Sequence, residues 1–197
     1  MTPLASDRSS PSHQAPNEWA LGERALHWLS AALIVGMLEL GLVMTHAAID
    51  AGEAFDLYQR HKSFGFVVLA LTALRLLMRL RRARPPFPPG MRPIEVALAK
   101  MTHGLFYALL FGSPLLGWLM VSSAPLQVPT RLFDMIPVPH LTAPNEAVYN
   151  GARLLHRLAA WTLIGLILLH VAAALKHHLV DRDATLRRML FRWRAAS

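Results

Sequence analysis

Residues 154–178 read LLHRLAAWTLIGLILLHVAAALKHH, and this stretch decides the architecture. Apart from Arg157 and Thr162, everything between His156 and His170 is apolar or glycine. At ~1.5 Å per residue, the fourteen-residue separation spans about 21 Å of helix, and at ~100° per residue the second imidazole returns to within about 40° of the first. One apolar helix therefore presents two imidazoles on one side, at two depths. That arrangement suits two iron centres stacked across a bilayer and makes transmembrane electron transfer the leading expectation.

Working outward, three more stretches share this character. The chain has 197 residues, of which 54% are hydrophobic and only 16% charged, against roughly 25% charged in an ordinary soluble domain. Mean hydropathy is +0.34. Four apolar segments, about 25–45, 61–80, 101–123 and 150–178, approach the ~20 residues needed to cross the ~30 Å hydrocarbon layer. Lipid offers the backbone no hydrogen bonds, so each is expected to be a helix. The expected fold is an all-α membrane protein, a four-transmembrane-helix bundle over residues 21–180.

The flanks are polar. Residues 1–20 are Pro- and Ser-rich and read as a disordered tail, and His13 within it carries no signal. Residues 181–197 form a basic amphipathic segment expected to lie on the membrane surface. The net charge is +8, but most of the Lys and Arg residues lie in the tail, the 79–100 loop and the C-terminal segment. By the positive-inside rule, both termini and that loop are cytoplasmic, placing the protein in a bacterial inner membrane. The run RLRRAR at 79–84 reads as a stop at anionic lipid, not as a nucleic-acid patch. PPFPPGMRP at 85–93 cannot be helical and forms a stiff connector. RLFDMI at 131–136 is expected to form a short amphipathic turn on the outer surface. There is no cysteine, which excludes disulfides, iron–sulfur clusters, thiol catalysis and covalent C-x-x-C-H haem attachment.

Depth sorts the ten histidines. His27, one turn inside helix 1, and His170, near the inner end of helix 4, share the inner level. His61, at the start of helix 2, and His156 share the outer level. Neutral imidazoles at both axial positions suit haem iron and leave no open site for oxygen. The competing reading is that each histidine only hydrogen-bonds between helices. Arg75 lies fourteen residues after His61, on the same face and at the inner depth. A buried arginine needs an anion, and a haem propionate would serve; snorkelling or pairing with helix backbone is the alternative. His103 and His177 are candidates for lining a quinone head-group pocket, or for interfacial hydrogen bonding. His178 is expected at the surface, as are His46 and His140. Glu39 is expected to face the bundle near its outer side.

The segments RALHWLSAALI (24–34), HKSFGFVVLALTALRLLMRL (61–80), THGLFYALLFGSPLLGWLM (102–120) and LHRLAAWTLIGLILLHVAAALKHHLVDRDATLRRML (155–190) together resemble the bacterial cytochrome b561 family. The resemblance covers about residues 22–191, and its most specific part follows His156. It implies two haem b groups, one held by His27 and His170 and the other by His61 and His156. It further implies an oxidoreductase of the superoxide:ubiquinone type, taking electrons from periplasmic superoxide and passing them inward to ubiquinone. Arg60, Lys62, Arg153 and Arg157 would then steer the anion. The alternatives are a cytochrome b relay subunit of a membrane dehydrogenase or hydrogenase, served by a periplasmic redox partner, and a small transporter or metal-binding module.

Overall fold

A computed structural model describes residues 18–82 and 85–191. Four long helices dominate it: α1 (Leu21–His46), α2 (Ala51–Arg81), α3 (Pro93–Ser123) and α4 (Glu146–Leu179). All four are long and apolar enough to cross a membrane. The chain is thus a multi-pass membrane protein built on a four-helix bundle. The tail through residue 17, with His13, lies outside the described residues, as do residues 83–84 of the basic run and 192–197 of the C-terminal segment.

Local chemistry sets the helix starts. The Ala20 N–H donates to Glu23 Oε2 (3.1 Å) at α1. Asp50 Oδ1 accepts from the Gly52 and Glu53 N–H groups (2.8 and 2.9 Å) at α2. Pro93 takes the first position of α3, where a missing N–H costs nothing. Asn145 Oδ1 accepts from the Val148 N–H (3.1 Å) at α4. These caps lie outside the apolar runs, so the helices extend beyond the membrane. At 31 residues, α2 is ~46 Å long, well over the ~30 Å of hydrocarbon. His61 and His103 therefore do not open their helices as the hydropathy suggested; each lies about three turns inside.

The long connections also differ from expectation. Residues 130–138 form an antiparallel hairpin, β1 (Thr130–Leu132) with β2 (Ile136–Val138), Thr130 opposite Val138. Phe133 and Asp134 at its tip have φ of 49° and 60°, the left-handed pair that suits a tight hairpin turn. The all-α bundle thus carries a small β-ribbon where an amphipathic turn was expected. The hairpin is tied to α2: Ser63 Oγ accepts from the Phe133 N–H (2.9 Å), and Gln59 Nε2 donates to the Pro129 carbonyl (3.0 Å).

At the opposite end, residues 181–191 run as turns without a continuous helix. They strap the terminal end of the bundle together. Arg24 donates to the Leu190 carbonyl (2.9 Å), Trp28 to Met189 (2.8 Å) and Arg188 to Pro86 (2.6 Å). Trp118 at the hairpin end donates to the Pro139 carbonyl (3.0 Å).

The helices pack in sequence order, α1 on α2, α2 on α3 and α3 on α4; α4 does not close onto α1 or α2 in the same way. Val68, Leu110 and Leu163 form the buried centre, with Leu33, Ile34, Met37, Phe106 and Leu109 against it. Leu163 is seven residues from both His156 and His170, and Val68 seven from both His61 and Arg75. The apolar core therefore lies midway between the two histidine levels.

Candidate functional site

Two histidine pairs form between helices that do not otherwise pack closely. At the terminal end, His27 of α1 faces His170 of α4 with ring centres 6.3 Å apart and planes inclined by 62°. At the hairpin end, His61 of α2 faces His156 of α4 at 6.2 Å and 80°. These are the pairings expected from depth. Two metal–nitrogen bonds of ~2 Å, each continued by an imidazole radius of just over ~1 Å, separate the ring centres of a bis-imidazole metal by about 6 Å. Both pairs have that separation. The donor set and its spacing therefore fit haem iron.

The hairpin-end pair is the better preset. The Nδ1–H of His156 donates to the Ser113 carbonyl (2.9 Å), with Ser113 Oγ at 3.3 Å. This fixes the tautomer that leaves Nε2 with a free lone pair. Gly117 of α3 lies beside the ring: a Cβ there would stand 3.4 Å from His156 Cε1, an ordinary contact. Gly41 of α1 lies beside His61 in the same way, at 3.6 Å. His61 Nδ1 is buried without a hydrogen-bond partner.

The terminal-end pair is more crowded. Trp28 packs edge-on against His27 at 5.3 Å between ring centres. Phe106 and His103 flank His170 at 5.4 and 5.7 Å. Arg75 Nη2 lies 3.1 Å from His27 Nδ1. A guanidinium can only donate, so the His27 ring proton sits on Nε2 in this arrangement. Arg75 occupies the expected depth, but its partner is the ligand candidate itself.

The other residues singled out from sequence fall in different places. His103 donates from Nδ1 to the Ala99 carbonyl (2.6 Å) and packs on His170. His177 is not beside them. Its Nδ1 lies 2.8 Å from Asp183 Oδ2 and 2.9 Å from Asp181 Oδ2. The reason is local: the chain turns sharply after α4, with Arg182 at φ 53°, and carries both aspartates over the last helical turn. Lys176 bridges Asp181 (2.7 Å) to Glu95 of α3 (2.6 Å). His178, expected at the surface, is half-buried with Nδ1 unpartnered. Glu39 is exposed and does not face the bundle. His46 is exposed and His140 half-buried. Arg60, Arg153 and Arg157 are exposed near the hairpin end, while Lys62 is half-buried, its Nζ 3.5 Å from the Pro129 carbonyl. Gly41, Ser113 and Phe106 were not singled out from the sequence. Glycine and serine are common in membrane helices, and no spacing rule links them to histidines on other helices.

Comparison with known proteins agrees with this architecture. The prokaryotic cytochrome b561 family matches residues 18–192. "Cytochrome b561 homolog 2" of Escherichia coli (strain K12) is 34% identical over 175 residues, covering 89% of this chain and 92% of the relative. "Probable superoxide oxidase CybB" of Yersinia pestis is 32% identical over 171 residues, 84% and 91% of the two chains. "Cytochrome b561 homolog 1" of Escherichia coli is 26% identical over 184 residues, 88% and 97%. The chain belongs to the prokaryotic cytochrome b561 family, haem b proteins of membrane electron transfer.

Proposed function

We propose that this protein is an oxidoreductase that moves electrons across a bacterial inner membrane, from superoxide at the hairpin end to ubiquinone at the terminal end. The observation that carries the reading is the pair of histidine couples, 6.2 and 6.3 Å between ring centres, at two levels of one helix. Two haem b groups, one held by His61 and His156 and one by His27 and His170, would supply one-electron acceptance and release. The chain's own residues do the rest.

Ser113 holds the His156 imidazole with its Nε2 lone pair available. Arg75 must release His27 Nδ1 before His27 Nε2 can ligate, because a ligating imidazole carries its proton on the other nitrogen. The freed guanidinium then has the charge and reach to hold a propionate. Val68, Leu110 and Leu163 keep water from the layer between the two levels. The exposed Arg153 and Arg157 flank His156 and attract an anionic donor. Imidazoles at both axial positions would suit a haem that supplies one-electron transfer, which needs no open coordination position. His103, packed on His170, is placed to hydrogen-bond a quinone; His177 instead anchors the terminal strap. The excess of Lys and Arg around the terminal end supports a cytoplasmic location for both termini. The relative named as a probable superoxide oxidase supports the choice of donor.

The test is a reduced-minus-oxidised spectrum with haem quantification on the purified protein, followed by exposure to a superoxide source. Two haems per chain, reduced by superoxide and reoxidised by a ubiquinone analogue, are expected. Haems that stay oxidised under superoxide would remove the donor assignment. A colourless protein would remove the whole reading.

A further inference from the structure

At the hairpin end, a cavity of about 310 Å³ lies between the first turns of α2 and the β-hairpin. Asp56, Gln59, Arg60 and Ser63 line one side, and Arg131, Phe133 and Asp134 the other. Two guanidiniums and two carboxylates thus face one space, and among the described residues none of the four side chains makes an ion pair or a hydrogen bond. Gln59 is only 8% exposed. Its Nε2 donates to the Pro129 carbonyl and ties this wall of the cavity to the chain leading into the hairpin.

Depth identifies the ligand class. The unbroken apolar run of α2 begins at Phe64, so Gln59 and Arg60 stand at the level of lipid head groups. The neighbouring aromatics Phe55, Tyr58 and Phe133 are 51%, 44% and 47% exposed, as in an interfacial aromatic belt. Phe133 also packs edge-on against Phe64, 5.4 Å between centres. A head group filling this space must offer an anion to Arg60 and Arg131 and N–H donors to Asp56 and Asp134.

We propose that the cavity is a binding site for a phospholipid whose zwitterionic head group carries a primary ammonium, as in phosphatidylethanolamine. The phosphate is held by Arg60 and Arg131. The ammonium is held by Asp56 and Asp134. A quaternary ammonium offers these carboxylates no N–H, so phosphatidylcholine binds less well. The site pins the hairpin to α2 at the membrane surface.

The experiment is native mass spectrometry of the full-length protein released from nanodiscs containing equal parts phosphatidylethanolamine and phosphatidylcholine. One phosphatidylethanolamine should be retained about tenfold over phosphatidylcholine, the scale of one or two charge-assisted hydrogen bonds. The double variant Asp56→Asn/Asp134→Asn should lose the preference. Among the described residues neither aspartate has a partner, so the substitutions spare folding. Arg60→Gln/Arg131→Gln should lower retention of both lipids. Equal retention of the two lipids by the wild type, or an unchanged preference in the aspartate variant, overturns the proposal. Binding of free phosphoethanolamine as tight as of the lipid overturns the assignment to a membrane lipid.

Discussion

His156 Nδ1 lies 2.9 Å from the main-chain carbonyl of Ser113, one turn before Gly117, against which the imidazole packs. The bond joins α3 to α4 and leaves Nε2 as the ring's free nitrogen. An added Cβ at Gly117 would meet His156 at 3.4 Å, an ordinary contact that leaves little room for branching. Gly117→Ala should therefore keep the hairpin-end haem, and Gly117→Val should lose it while keeping the other. Haem quantification with low-temperature difference spectra checks both. Loss of both haems in the valine variant would mean that the contact supports the bundle as a whole.

The pairing itself makes a four-way prediction. His27→Ala and His170→Ala should remove the same spectral component and leave one haem per chain. His61→Ala and His156→Ala should remove the other. If His27→Ala and His61→Ala share a component, the pairing is wrong.

Arg75 sits at the level of the terminal-end pair, with its guanidinium on His27. A nearby positive charge favours the reduced haem. Arg75→Gln should lower the midpoint potential of the terminal-end haem by on the order of 59 mV, a tenfold change in a one-electron equilibrium, and Arg75→Lys should restore most of it. The potential of the hairpin-end haem should not move. A redox titration that shows both potentials shifting equally would place Arg75 elsewhere in the electrostatics.

Asp183 predicts the acid limit of the terminal strap. Burial alone would raise its pKa, but contacts from Thr185 and His177 outweigh this and hold it below the ordinary 3.8. The Thr185 N–H donates to Oδ1 at 2.7 Å. A depressed folded-state pKa means that the stabilisation is fully present above ~3.8 and is lost as pH falls through the folded value. Thermal unfolding of the wild type should therefore fall off below about pH 4, whereas Asp183→Asn should start lower and lose less over the same interval. Parallel curves for the two proteins would exclude this role.

Much of the site was legible because membrane physics makes it so. Hydropathy marked four spans, and the spacings between His156 and His170 and between His61 and Arg75 marked two depths on two helices. Helix ends were less legible. The caps at Asp50 and Asn145 lie in polar sequence beyond the membrane, where hydropathy says nothing, so α2 and α4 begin earlier than their apolar runs. The hairpin was missed because its turn relies on left-handed residues other than glycine, Phe133 and Asp134. Helical periodicity returns His177 to the face of His170 and makes it a candidate for a quinone pocket or for interfacial hydrogen bonding; the structure shows it bonded to Asp183 and Asp181. Periodicity cannot foresee a chain that doubles back and lays Asp181 and Asp183 over that histidine.

By itself, the sequence determined the spans, their order and the two levels shared by His27 with His170 and by His61 with His156, because the bilayer sets the span length and helix geometry sets the spacing along it. Only the tertiary structure decided which nitrogen of His156 is free, what Arg75 touches, and that Gln59 and Arg131, far apart in the chain, line one cavity. Those facts depend on lateral packing between helices and on loop reversals, for which a single helix carries no periodic signal.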